Sequence, residues 1–178
     1  MVFSSTIFIF FFLPLVCLCY LIAPKKIKNY VLFLFILIFY IFGGPKFLLI
    51  LLLVVLIDYI GAILITKTNK KKLFLVITII LNIVTLVYFK YTGFFLENIN
   101  SIFNLNITIP NILLPIGISF YTFQAMSYVI DVYRKKVALQ KNYFILLLYV
   151  SLFPQLVAGP IVRYETIEKA LKTRKTTF

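Results

Sequence analysis

The residues best suited to chemistry lie close together on one predicted helix between Leu114 and Arg134. Counted in helical positions from Ser119, the polar side chains fall within one sector about 140° wide, while Ala125 and Val129 face away. The sector contains Tyr121, Gln124, Ser127, Tyr128, Asp131, Arg134 and Lys135. In an apolar chain such a stripe predicts a surface that contacts protein or water rather than lipid.

The sequence also excludes several kinds of catalysis. It contains no histidine, which rules out a histidine base, a Ser-His-Asp or Cys-His arrangement and a histidine-containing metal site within these residues. A Gly-rich phosphate loop, a Walker pattern and a Cys-x-x-Cys motif are absent as well. We therefore predict no catalytic residue and no metal site in this chain.

Asp58 and Asn82 are further polar residues inside apolar segments. An ionised carboxylate within a membrane costs about 2.5 to 3.5 kcal/mol on insertion scales, so Asp58 is expected to be protonated, paired or facing a cavity. We favour a hydrogen bond between helices over catalysis for both residues. For Asp131, which precedes Arg134 by three residues, an ion pair at the membrane edge and a place in a substrate path both stay open.

The composition predicts an integral membrane protein made of helices. Hydrophobic residues make up 63% of the 178, and the mean hydropathy is +1.08. Only helices and closed barrels satisfy the backbone in lipid, and these apolar runs are continuous rather than alternating. The fold class predicted is all-α, polytopic and transmembrane. The predicted hydrophobic segments are approximately 7–23, 30–42, 47–65, 73–89, 113–130 and 143–162.

The connections between these segments carry their own predictions. Gly43-Gly44-Pro45 predicts a tight hairpin between the second and third segments. Residues 90–112 have a soluble, asparagine-rich composition and are predicted to form a solvated loop. Pro154, Gly159 and Pro160 weaken the last segment, so we predict a broken or re-entrant element there.

The basic residues predict the orientation of the chain. The formal net charge is +13, and eleven of the 18 basic residues lie in the loops after the first, third and fifth segments. The positive-inside rule then places those loops in the cytoplasm and the N-terminus outside a plasma membrane that the chain crosses several times. Contact with anionic lipid explains this charge, so we predict a lipid bilayer as partner and no nucleic acid.

Two blocks of sequence resemble a known family. Residues 114–124, LPIGISFYTFQ, followed by Ser127-Tyr128 and by 131–134, DVYR, look like the signature of the membrane-bound O-acyltransferases. The branch is the bacterial one that contains alginate O-acetyltransferase and the D-alanyl transfer protein of teichoic acids. Residues 153–164, FPQLVAGPIVRY, are similar to that family's Phe-Pro-x-x-x-x-Gly-Pro-Ile-x-Arg-Tyr element.

The resemblance implies a fold and an activity. Family members form a ring of many transmembrane helices around a tunnel, and this chain would be the N-terminal part of that ring. The family histidine is expected beyond Phe178, where it would activate the acceptor as a general base. The enzyme would move an acyl group, most simply acetyl, to a cell-surface or exported polysaccharide hydroxyl. Its donor would be acetyl-CoA or an acyl carrier thioester, a substrate rather than a bound cofactor.

The resemblance also implies roles and partners. Tunnel-lining or bracing candidates are Ser119, Tyr121, Gln124, Ser127, Tyr128, Asp131 and Arg134, with Gln155, Gly159 and Arg163 at the cytoplasmic mouth. The expected partners are the remaining C-terminal helices of the same protein, an outer-face acetyl transfer protein and the cytoplasmic donor or carrier. Two alternatives stay open, namely an inactive truncated remnant of the family and a transporter subunit.

Overall fold

The structure, a computed structural model, describes residues 5–24, 27–152 and 163–167, and every regular element in these ranges is helical. The all-α fold class is therefore confirmed. A π-helical turn over Phe8–Phe12 leads into the first α-helix, and a further helical turn lies at 164–167. The helices are α1 (Leu13–Ile22), α2 (Lys28–Gly43), α3 (Pro45–Lys67), α4 (Lys71–Phe103), α5 (Ile118–Tyr133) and α6 (Tyr143–Ser151).

Helix α3 is the central helix of the bundle, because it packs against α2, α4, α5 and α6. Its buried residues recur every three or four positions and so share one face. They are Leu51, Val54, Val55, Asp58, Gly61, Ala62 and Ile65. Leu49, Leu53 and Leu56 on other faces are exposed although they are apolar. A helix that is apolar on its outward face as well is suited to a lipid environment.

Helices α3 and α4 are long and apolar enough to cross a membrane. They contain 23 and 33 residues, and the mean hydropathy of their apolar windows is 3.0 and 2.3. A bilayer span needs about 20 residues. The stretch Phe8–Ile22 and helix α2 are also apolar but shorter. These features agree with the prediction of a helical membrane protein.

The hairpin predicted at Gly43-Gly44-Pro45 is present. Helix α2 ends at Gly43, α3 begins at Pro45, and the two helices pack against each other. Gly44 has a φ of +124°, a conformation that side chains with a Cβ rarely adopt. Pro45 occupies the first turn of α3, where its missing N–H leaves no helical hydrogen bond unmade.

The solvated loop predicted at 90–112 is shorter than we expected, because α4 continues to Phe103. Two of the asparagines that suggested a loop lie in α4, and their side chains bond to the backbone of the helix and of the segment that follows it. Asn98 donates to the Phe94 carbonyl at 2.7 Å, and Asn100 exchanges two hydrogen bonds with Ile107. Asn104 then ends the helix in the left-handed conformation, which asparagine tolerates better than most residues. Composition alone does not distinguish these helix-ending asparagines from loop asparagines.

The helices that correspond to the last two predicted segments begin or end at other residues than we predicted. Helix α5 starts at Ile118 rather than near residue 113, because Pro115 disfavours helical backbone at Leu114 and Gly117 has a φ of +75°. Helix α6 ends at Ser151. The break predicted for the second half of that segment falls on residues 153–162, which lie outside the described residues.

Candidate functional site

The polar side of α5 is buried inside the bundle. Tyr121, Gln124, Tyr128 and Asp131 are all buried, which agrees with a stripe that faces protein. The apolar residues of the helix do not form the single opposite face that a two-sided pattern predicts. Ala125 and Val129 are fully buried too, whereas Phe120 and Phe123 are exposed. Helix α5 packs against α3, α4 and α6, so only a narrow strip of it faces outward.

Gln124 connects α5 to the end of α6. Its side-chain amide donates to the backbone carbonyl of Tyr149 at 3.0 Å. Carbonyls in the last turn of a helix have no partner within the helix, so this bond satisfies one of them. The Ser127 hydroxyl donates to the Gln124 carbonyl at 2.7 Å, and the Tyr149 hydroxyl interacts with the side chains of Ser127 and Gln124. The group braces α6 against α5.

Gln140 joins Tyr128, Tyr164 and Asn142 through three hydrogen bonds. Its backbone N–H donates to the Tyr128 hydroxyl at 2.9 Å, and its side-chain amide donates to the Tyr164 hydroxyl at 2.6 Å. Its side-chain oxygen accepts from the Asn142 N–H at 3.0 Å. The Asn142 side chain in turn caps the start of α6 by accepting from the Phe144 N–H. Gln140 is itself buried.

Tyr164 places the two family-like sequence blocks in contact. Its ring lies between those of Tyr128 and Tyr149, with centroid separations of 5.0 and 5.1 Å and edge-to-face geometry. It is fully buried, although Arg163 immediately before it is exposed. We call Tyr128, Gln140, Tyr149 and Tyr164 the tyrosine cluster. Sequence reasoning selected Tyr128 but not Tyr164, which stands at the end of the second block, nor Gln140, which lies in neither block.

The ion pair considered for Asp131 and Arg134 does not form. Asp131 is 8% exposed, whereas the Arg134 side chain is exposed, and no ion pair joins them. The end of α5 explains the separation. The Asp131 carbonyl accepts from the Lys136 N–H at 2.9 Å, and Lys135 has a φ of +57°, so the chain turns sharply away from the helix.

Asp58 and Asn82 join α3 to α4 inside the bundle. The Asn82 side-chain amide donates to Asp58 Oδ1 at 2.9 Å and to the Thr78 carbonyl at 3.0 Å. Both residues are fully buried, and Asp58 Oδ2 and Asn82 Oδ1 have no partner among the described residues. The geometry is that of a hydrogen bond between helices. One turn along α3, Gly61 lies directly against the Thr78 side chain, so a Cβ at Gly61 would overlap it.

Ser119 lies at the opposite end of α5 from the tyrosine cluster. Its hydroxyl accepts a hydrogen bond from Lys90 Nζ at 3.4 Å. Lys90 and residues 114–120 line an open cleft with a volume of about 360 Å³. Of the three residues predicted at the cytoplasmic mouth, Gln155 and Gly159 lie outside the described residues, and Arg163 is exposed. Among the described residues, no group of three His, Cys, Asp or Glu side chains is arranged to hold a metal ion.

Similarity to known proteins extends along the whole chain. Over 99% of its length the chain is 34% identical to the probable alginate O-acetylase AlgI of Pseudomonas aeruginosa, and it covers 36% of that protein. It is 34% identical over its full length to the probable alginate O-acetylase AlgI of Azotobacter vinelandii, covering 37% of it. It is 33% identical to the peptidoglycan O-acetyltransferase of Helicobacter pylori, covering 40% of it. No protein-family model and no solved structure matches the chain.

Proposed function

We propose that the chain belongs to the O-acetylase branch of the membrane-bound O-acyltransferases, because its whole length is similar to proteins named as O-acetylases or O-acetyltransferases. In this proposal it forms part of an enzyme that transfers an acyl group from a thioester to a polysaccharide hydroxyl. The acyl group is most simply acetyl, the donor is acetyl-CoA or an acyl carrier thioester, and the acceptor is a cell-surface or exported polysaccharide. The observation that carries this proposal is the similarity of the whole chain to proteins named as O-acetylases. The chain spans a little over a third of the length of these relatives.

The contacts within the bundle support different roles for the polar residues of α5. Gln124 and Tyr128 are engaged with the Tyr149 carbonyl and with Gln140, so they brace the wall of the proposed tunnel. The Tyr121 hydroxyl and the Thr122 hydroxyl are buried and have no partner among the described residues. A buried hydroxyl without a partner is costly, so these two groups are the better candidates for contact with water or substrate in the tunnel.

The charges support an orientation in a bacterial plasma membrane. Lys67 ends α3, and the exposed Lys70, Lys71 and Lys72 lie at the start of α4. In the proposed arrangement the chain crosses the membrane several times with these lysines in the cytoplasm and the N-terminus outside. Lys90 and the cleft beside Ser119 then lie towards the outer face, where the acceptor and an acetyl transfer protein would approach.

The reaction requires a general base that the present residues do not contain, since the chain has no histidine. In our proposal that base is a histidine in the further helices of the complete protein. These helices would close the ring by packing against part of the exposed apolar surface of α4, on which Ile80, Ile83 and Val84 are exposed.

The test uses the complete product of the gene, expressed in membranes and supplied with cell polysaccharide and, in separate reactions, with radiolabelled acetyl-CoA or a radiolabelled acetyl carrier thioester. We expect label in the polysaccharide, and we expect its loss when the histidine in an apolar helix of that product is replaced by alanine. Transfer that survives this replacement would contradict the proposed base. A complete product that transfers no acyl group from either type of donor would contradict the enzyme itself.

A further inference from the structure

The same three residues stand at the start of two neighbouring helices. Lys28-Asn29-Tyr30 begins α2, and Lys141-Asn142-Tyr143 leads into α6. These two helices pack against each other, and both asparagines line one cavity with a volume of about 380 Å³. The other residues that line it are Tyr30, Phe33, Phe144, Ile145 and Leu148. The two copies of the tripeptide therefore lie at one place on the bundle.

A second cavity adjoins the first, and only one of its lining residues, Tyr143, carries a polar side-chain group. It has a volume of about 600 Å³ and lies between α2, α3 and α6. The two cavities share Phe33 and Phe144, whose rings are in edge-to-face contact with centroids 5.8 Å apart. Leucines line the rest of the second cavity, namely Leu37, Leu49, Leu52, Leu53, Leu56 and Leu147. We call the two cavities the α2–α6 groove, with a polar end at the asparagines and an apolar end at the leucines.

The polar end of the groove lies far from the end of α3. The Tyr59 hydroxyl donates to the Lys141 carbonyl at 2.8 Å, and Tyr59 precedes Lys67 at the end of α3 by eight residues. At a helical rise of ~1.5 Å per residue, eight residues correspond to about 12 Å along α3. The exposed side chains of Lys141 and Asn142 thus stand beside a part of α3 that is still apolar. Polar groups at such a level of a membrane protein need polar partners.

We propose that the α2–α6 groove binds one anionic phospholipid, with its headgroup at the polar end and an acyl chain at the apolar end. Asparagine amides and lysine ammonium groups donate hydrogen bonds to phosphate and ester oxygens. Leucine and phenylalanine side chains contact an acyl chain through apolar surface alone. The order of polar and apolar residues along the groove is the order of head and tail in a phospholipid.

The charge at the polar end favours an anionic headgroup over a neutral one. Lys28 and Lys141 each precede one of the two asparagines, and neither α2 nor α6 contains an acidic residue. Lys141 is exposed, whereas Lys28 is buried with its Nζ 4.7 Å from the centroid of the Tyr20 ring. Lysines near a membrane surface attract anionic lipids. A headgroup with a net negative charge is therefore held more tightly here than a zwitterionic one.

The shape of the groove favours a slender acyl chain over a further helix. Helices α2, α3 and α6 pack against one another in all three pairs. Packed helices have axes about 8–10 Å apart, and a helix with its side chains is about 10–12 Å wide. A further helix could lie across the groove but could not enter it between helices that already touch. A helix that lay across it would exclude lipid, and the first experiment detects this.

The first experiment maps lipid contacts on the complete protein in nanodiscs of phosphatidylcholine. A small fraction of the lipid carries a photoreactive diazirine in one acyl chain, on either phosphatidylglycerol or phosphatidylcholine. After irradiation, mass spectrometry compares crosslinks at Leu53 with those at Ile83 and Val84, which are exposed on α4. We expect about fivefold more crosslinking at Leu53 with phosphatidylglycerol than with phosphatidylcholine, because the two headgroups differ by one negative charge. On α4 we expect no such preference.

The variant Asn29→Asp/Asn142→Asp tests the polar end and keeps both helix starts. Aspartate caps a helix as asparagine does, and a negative charge in the first turn stabilises a helix. The added charges repel a headgroup phosphate, so crosslinking of phosphatidylglycerol at Leu53 should fall by about fivefold or more. The matched control, Asn106→Asp/Asn111→Asp, adds the same charge at exposed residues between α4 and α5 and should behave as the parent protein does.

Three results would overturn the proposal. Equal crosslinking at Leu53 with the two lipids would show an unselective contact with the bilayer. An absence of crosslinks at Leu53 would mean that another part of the complete protein covers the groove. An equal loss in the two aspartate variants would show an effect of total charge rather than a headgroup site. The first two results come from the parent protein, so they decide the proposal even where a variant fails to fold.

Discussion

The side-chain amide of Gln140 donates a hydrogen bond of 2.6 Å to the hydroxyl of Tyr164, and the two residues are 24 positions apart in the chain. This bond connects the α5–α6 connection to the segment 163–167, whose Tyr164 is buried between Tyr128 and Tyr149. The same glutamine binds Tyr128 through its backbone. One residue outside both family-like blocks therefore holds the two blocks together.

We expect Gln140→Leu to expose the peptide bond after Arg163 to trypsin. A protease must bind several residues around the bond in an extended form. Tyr164 prevents this as long as its bond to Gln140 keeps it buried. Leucine keeps the approximate size but removes the donor to Tyr164 and the acceptor for Asn142. The measurement is the rate of cleavage at Arg163 in detergent-solubilised protein, found by mass spectrometry.

Cleavage within Lys70–Lys72 serves as the internal control for this experiment, since those residues lie at the start of α4. Gln140→Glu should give an intermediate rate, because a carboxylate still accepts from the Asn142 N–H and from the Tyr164 hydroxyl. An Arg163 cleavage rate that Gln140→Leu leaves unchanged would show that other contacts hold Tyr164.

The Gln140–Tyr164 bond should also appear as a coupling in protein stability. We expect Gln140→Leu and Tyr164→Phe to destabilise the protein by less in combination than the sum of their single effects. The coupling should be about 0.5 to 1.5 kcal/mol, the usual net value of such a bond. The measurement is a double-mutant cycle on the free energy of unfolding in mixed micelles. Strict additivity would mean that the bond contributes nothing to stability.

Much of the architecture follows from the sequence because its causes are local. Apolar runs predict the helices, and Gly43-Gly44-Pro45 predicts the hairpin. Glycine readily adopts a positive φ, and proline is well tolerated in the first turn of a helix. The prediction of a loop from residue 90 onwards was wrong, again for a local reason. Asparagine stabilises both loops and helix ends, and the choice between them depends on backbone partners such as the Ile107 carbonyl.

The candidate site is less predictable because its contacts join distant parts of the chain. The polar stripe of α5 identifies Tyr121, Gln124 and Tyr128, since helical periodicity alone puts them on one face. Gln140 has no such signal, because its role depends on where Tyr164 packs. The absence of the Asp131–Arg134 ion pair has a similar origin. Spacing allows the pair, but the left-handed turn at Lys135 directs the chain elsewhere.

The two glycines Gly61 and Gly93 should respond in opposite directions to alanine. A Cβ at Gly61 would overlap the Thr78 side chain on α4, whereas a Cβ at Gly93 meets no atom within 4 Å. We expect Gly61→Ala to destabilise the bundle by about 1 to 3 kcal/mol through overpacking of the α3–α4 contact. Gly93→Ala should stabilise α4 by roughly 0.5 to 1 kcal/mol, the propensity difference between the two residues.

The measurement for the glycine pair is the temperature at which half of the heated protein stays monodisperse on size-exclusion chromatography. A second variant, Gly61→Ala/Thr78→Ala, removes both the hydroxyl and the methyl group of Thr78, which are the atoms nearest to a Cβ at Gly61, and should recover part of the loss. If Gly61→Ala and Gly93→Ala shift this temperature in the same direction, α3 and α4 do not approach each other closely at Gly61.

The Asp58–Asn82 pair should be more sensitive to losing one member than to losing both. Asn82→Leu leaves the buried Asp58 carboxyl without its hydrogen-bond partner, and we expect a cost of about 1 to 3 kcal/mol in the free energy of unfolding. Asp58→Leu/Asn82→Leu removes both polar groups from the α3–α4 contact, so it should be more stable than Asn82→Leu alone. Asp58→Asn should be the mildest change, because its amide still accepts from Asn82 and can donate to Asn82 Oδ1, which has no partner among the described residues. The measurement is the free energy of unfolding of the three variants in mixed micelles. A double variant that is less stable than Asn82→Leu would falsify the hydrogen bond as the reason why these polar residues are kept inside the bundle.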